Sequence, residues 1–67
     1  MRPFEFLTRD HERAAVAAAD RAFNRKDGHY QFAVLDNGEL VASRYGADWK
    51  PITVSFTPDG AEHDFDH

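Results

Sequence analysis

Apolar and polar residues alternate at the start of the chain, apolar residues then recur every three to four positions, and alternation returns toward the end. Phe4 and Phe6 flank Glu5, the period-two signature of a half-buried strand over Phe4–Leu7. Pro3 stands at its start, where a missing N–H costs a ladder least. Thr8 offers a hydroxyl as helix cap, and Asp10 and Glu12 put negative charge in the turn that follows. The segment from Arg9 to Lys26 holds neither Gly nor Pro and is rich in alanine, so it predicts a helix. Ala15, Ala18, Ala19, Ala22 and Phe23 form its apolar stripe with Val16 beside them, and Arg13, Asp20 and Asn24 fall opposite. Arg21, Arg25 and Lys26 suit the negative end of the helix dipole, and Gly28 supplies the stop.

His29–Leu35 reads as the next strand, and Asp36-Asn37-Gly38-Glu39 as a hairpin turn before Leu40. Asn-Gly between two apolar runs predicts a two-residue type I′ turn, since both residues tolerate positive φ. That turn pairs Leu35 with Leu40, Val34 with Val41 and Ala33 with Ala42, and farther out Tyr30 with Tyr45. A one-residue slip would exchange the faces. Gly46-Ala47-Asp48 breaks the chain, Ile52–Thr57 alternates strictly as a last strand, and Pro58-Asp59-Gly60 makes a turn. The expected fold is α+β with order β-α-β-β-β, a single helix on one face of a small, mainly antiparallel sheet. Residues 1–60 form the domain and residues 61–67 an acidic, histidine-bearing tail.

Ile52, Val54 and Phe56 set the buried face, joined by Phe4, Phe6, Tyr30, Phe32, Val34, Val41 and Tyr45. Large side chains on the sheet against alanines on the helix make a matched volume. The opposite face has no second helix to cover it. There Ala33, Leu35, Leu40 and Ala42 are expected to gather in an apolar patch around the hairpin.

Length sharpens this picture. A chain of 67 residues buries only about 60% of its unfolded surface, so one core is all it can build. It has no cysteine, which removes disulfides and thiolate chemistry. Twelve acids against eight Lys and Arg leave a net charge of −4, the wrong balance for direct nucleic-acid binding. With no long apolar run and no signal-peptide pattern, the expectation is a soluble, cytoplasmic protein without membrane contact.

No phosphate loop, zinc spacing or nucleophile motif is present, so neither catalysis nor a cofactor is expected. His63, Asp64, Asp66 and His67 are potential ligands, but a chain end lacks the surrounding structure that holds a metal, so no metal site is assigned. His29 as a lone general base of a small nuclease is a remote alternative. Charge is more informative. Arg9, Arg13, Arg21, Arg25 and Lys26 make the helical region basic, whereas from Asp27 onward eight acids face only Arg44 and Lys50. An acidic half of this kind accelerates encounter with a basic protein partner. Trp49, between Asp48 and Lys50, is either a lid on the core or an interface anchor.

In outline, a short, cysteine-free, acidic chain with one alanine-rich helix over a small sheet resembles the small anti-CRISPR inhibitor proteins of phages and mobile elements. The segment Gly38–Ala42 through Trp49, a hairpin strand followed by a turn and tryptophan, comes nearest to a shared feature. The resemblance implies a stoichiometric inhibitor that docks on a basic, nucleic-acid-binding surface of a Cas effector complex in the host cytoplasm. Asp36, Glu39 and Asp48 would then stand in for phosphates, with Trp49, Leu35 and Leu40 as apolar anchors. A self-associating structural or antitoxin-like module, pairing sheet edges as a homodimer, is the alternative.

Overall fold

In the computed structural model, residues 1–26 and 28–62 are described. The elements are β1 (Arg2–Pro3), α1 (Arg9–Phe23), β2 (Gln31–Val34), β3 (Leu40–Ser43), β4 (Lys50–Pro51) and a helical turn, α2 (Pro58–Glu62). The four strands form one antiparallel sheet in chain order, β1-β2-β3-β4. This is the α+β arrangement read from the sequence, with α1 placed between the first two strands.

The Thr8 hydroxyl accepts the His11 amide at 3.2 Å and so caps α1. The far end differs from expectation. Asn24 takes the left-handed conformation (φ 54°, ψ 47°) and closes the helix at Phe23, three residues before Lys26. The Arg25 amide donates to the Asp20 carbonyl at 2.9 Å and the Asn24 amide to the Arg21 carbonyl at 3.4 Å. That is a Schellman-type closure, which asparagine supports nearly as glycine does. Gly28 is not the stop. It lies under Tyr30, where a Cβ would come within 2.6 Å of the ring's Cζ.

Strand limits also shift. Pairing of β1 begins two residues earlier than Phe4, with Arg2 opposite Val34 and Pro3 opposite Ala33. β4 pairs only over Lys50 and Pro51, because proline brings no amide, although the Ile52 amide still reaches the Leu40 carbonyl at 3.2 Å. Ile52 is buried and Val54 and Phe56 are packed against the core, so the alternation predicted the inward side chains but not the loss of the ladder.

The hairpin register is the main correction. Gly38, at φ 89°, donates to the Leu35 carbonyl at 2.9 Å, and the Leu35 amide donates to the Glu39 carbonyl at 2.8 Å. The loop is therefore Asp36-Asn37-Gly38, three residues with glycine alone in the left-handed region, rather than a two-residue type I′ turn. The extra residue moves every β3 pair by one: Val34 faces Leu40, Ala33 faces Val41 and Phe32 faces Ala42. Leu40 and Ala42, expected outside, turn into the core, whereas Val41 turns to the outer face. Tyr45, expected inside, is 79% exposed.

The core lies between α1 and the sheet. Ala15, Ala18 and Ala19 face Phe4, Val34, Leu40, Ala42 and Ile52, and Ala61 of α2 seals one side. Ala61, expected to open the tail, is fully buried. The ring-bearing side chains run as a continuous series from one end of α1 to the other. Phe23 meets Tyr30 at 5.5 Å, Tyr30 meets Phe32 at 6.3 Å and Phe32 meets Phe6 at 5.0 Å. Phe6 meets Phe56 at 6.0 Å, which meets His11 at 4.5 Å. Edge-to-face geometry at Phe6 (84° to 89°) matches the preferred arrangement of ring quadrupoles.

Candidate protein-binding face

Register decides what the outer sheet face displays. Pro3, Ala33, Val41 and Pro51 are mutual cross-strand partners and form one apolar row across all four strands. Continuing the same register sets Trp49 beside Ser43 and Gln31 in the next row. Ala33, Val41 and Ser43 are only 3%, 4% and 0% exposed although no described helix covers them. The open apolar patch expected from Ala33, Leu35, Leu40 and Ala42 is therefore not there: Ala33 is buried, Leu35 half-buried, and Leu40 and Ala42 belong to the core.

β1 parts from β2 soon after the Phe4 amide donates to the Phe32 carbonyl at 3.0 Å. A groove of about 750 Å³ opens there, with Met1, Pro3, Ala33 and Trp49 along it and Glu5, Glu12 and Gln31 contributing polar groups. Edges of Phe6, Tyr30 and Phe32 complete the lining. Sequence reasoning missed Glu5, Glu12 and Gln31 as groove residues. Pro3 and Pro51, near the two ends of the sheet order, were the available signal, since proline within a sheet belongs at an edge.

The anticipated partner-binding residues fall into separate groups. Asp36 and Glu39 are exposed at the hairpin tip, with the Met1 ammonium 3.4 Å from Asp36 Oδ1. The Glu39 amide donates to Asn37 Oδ1 at 2.9 Å, which holds the tip in shape. Asp48, exposed, and Trp49, half-buried, lie beyond the other end of β3, about 14 Å away at the rise of an extended strand. Leu35 is half-buried beside the tip. Leu40 is 3% exposed within the core and leaves the set.

Asp20, expected on the solvent side of α1, is instead a junction. Its Oδ1 accepts the Tyr30 hydroxyl at 2.5 Å and the Gly28 amide at 3.1 Å, which ties the connection after α1 back to the helix. Partial burial raises the Tyr30 pKa above its ordinary value, and the hydrogen bond to the Asp20 carboxylate and that group's charge act in the same direction. Arg25 and Arg44 pull weakly the other way.

His29 is exposed before β2, and His11 packs its ring on Phe56. Among the described residues no three His, Asp or Glu side chains gather as metal ligands, and no helix is long and apolar enough to cross a membrane. His63, Asp64, Asp66 and His67 lie outside the described residues, as does Asp27. Compared with known proteins, the chain matches no family model, no curated protein and no solved structure.

Proposed function

We propose that this chain is a non-enzymatic protein-binding module. It acts as a monomeric, stoichiometric inhibitor that docks its sheet side on a basic, nucleic-acid-binding surface of the kind a Cas effector complex presents. The observation that carries the reading is the groove beside β1, lined by Trp49 and by the exposed Glu5 and Glu12. Half-buried tryptophan at the rim of a concavity is the type of residue that concentrates binding energy. Glu5, Asp36, Glu39 and Asp48 are exposed around the sheet against Arg2 and Lys50, whereas on α1 the exposed Arg9, Arg13 and Arg21 outnumber Asp10 and Glu12. The excess of acids around the sheet favours a positive partner on that side before contact.

Edge pairing into a homodimer has less behind it. Both edge strands are two residues long and each contains a proline, and β4 also carries Lys50. Such edges are poor templates for another strand. The segment Thr53–Phe56, which an edge-paired dimer would use, is not in the sheet.

Capture from a host lysate on the immobilised chain, followed by identification of retained complexes, tests the proposal. The wild-type chain is expected to retain a nucleic-acid-handling complex, from which added nucleic acid elutes it. Trp49→Ala and the combination Asp36→Asn, Glu39→Gln, Asp48→Asn are expected to lose it. Retention that nucleic acid does not reverse, or that all variants share, would sink the reading.

A further inference from the structure

We infer that Asn37 is a self-modifying site, at which the chain converts asparagine to aspartate and isoaspartate, and that the folded hairpin holds this reaction back. The site is independent of what the chain binds. Asn37 and Gly38 are exposed at the hairpin tip, and a Cβ built on Gly38 would meet no atom within 4 Å. Glycine after asparagine leaves the next main-chain nitrogen least obstructed in reaching the side-chain carbonyl carbon, because no side chain stands beside that nitrogen. In the reaction the Gly38 amide gives up its proton and its nitrogen bonds to Asn37 Cγ. The Cγ–Nδ2 bond breaks, and the side-chain nitrogen leaves with one added proton as ammonia. Water then opens the cyclic imide at Cγ, giving aspartate, or at the Asn37 main-chain carbonyl, giving isoaspartate. The other asparagine, Asn24, is followed by Arg25, whose side chain crowds the corresponding nitrogen.

The fold restrains both reacting groups. The Gly38 amide, which must lose its proton, donates to the Leu35 carbonyl at 2.9 Å, and Asn37 Oδ1 is held by the Glu39 amide at 2.9 Å. The Leu35 amide on the Glu39 carbonyl at 2.8 Å closes the loop behind them. Reaction therefore proceeds from an opened tip, and loop tips open at low cost. Conversion matters because of where it falls. A carboxylate at position 37 stands between the exposed Asp36 and Glu39. Isoaspartate also routes the main chain through its β-carbon, which lengthens by one atom the loop that sets which β3 residues face the core.

Incubation of the intact chain in mildly alkaline buffer, followed by tryptic cleavage and mass spectrometry against an unincubated sample, tests this. Cleavage after Arg21, Arg25, Lys26 and Arg44 puts Asn24 and Asn37 in different fragments. The Asn37 fragment is expected to gain the mass difference between amide and acid while the Asn24 fragment stays unchanged. In denaturing urea the Asn37 conversion should run about tenfold faster, the scale of a low-cost local opening. No gain at Asn37, an equal gain at Asn24 in the folded chain, or the same rate with and without urea would overturn the inference. The isoaspartyl chain, separated by reversed-phase chromatography and refolded, should melt below Asn37→Asp, which has the same charge and an ordinary backbone. Equal midpoints would overturn the consequence drawn for the loop.

Discussion

At the scale of single residues, the connection after α1 depends on Gly28 for space and on Asp20 for hydrogen bonds. Gly28→Ala places a methyl group against the Tyr30 ring and is expected to cost about 1–3 kcal/mol, the range for overpacking. Chemical denaturation checks this, and an unchanged midpoint would contradict the placement of Tyr30. The same tyrosine makes stability depend on pH. Its folded pKa lies above the ordinary 10.0, so its contribution is complete below about pH 10 and is lost as pH rises through the folded value. The stability advantage of wild type over Tyr30→Phe is therefore expected to be constant from neutral pH to about 9 and to shrink above pH 10. Neither role was visible in the sequence. Helical periodicity put Asp20 opposite the alanine stripe, and nothing in residue spacing announces that a loop returns to cover that side.

Elements were legible where local chemistry decides them and not where a turn has two solutions. Thr8 at the start of α1 follows from side-chain capping, and Thr8→Ala is expected to lower stability by about 1 kcal/mol in thermal unfolding. The alanine stripe likewise reads directly as the buried face of α1. The Asp36–Gly38 loop does not read so directly, because Asn-Gly serves both a two-residue and a three-residue hairpin. Tertiary packing selects the longer loop: Leu40 and Ala42 then meet Ala15, Ala18 and Ala19 in the core, and Val41 meets Pro51 outside. Truncation separates the registers. Leu40→Ala is expected to cost about 2–5 kcal/mol as a core deletion, whereas the half-buried Leu35 should cost clearly less. Equal effects would contradict the observed pairing.

At the scale of the whole molecule, α1 packs on one face of the sheet, and the proposed function draws on the other side. The sequence indicated a second, uncovered face and an excess of acids over bases after Asp27. It did not show the groove, which needs the true register and the early departure of β1 from the sheet. Short, proline-bearing edges predict a monomer, so light scattering at micromolar concentration should give the mass of one chain, 7.6 kDa. A dimer would direct attention back to self-association. Competition with nucleic acid for a basic protein surface is the central claim, and fluorescence anisotropy tests it most directly. A Cas effector complex holding fluorescently labelled target nucleic acid is titrated with the chain. Anisotropy should fall to the value of free nucleic acid with an endpoint at one chain per binding site, and Trp49→Ala should shift the titration to higher concentration. Anisotropy that stays at the bound value in the presence of excess chain would contradict the account.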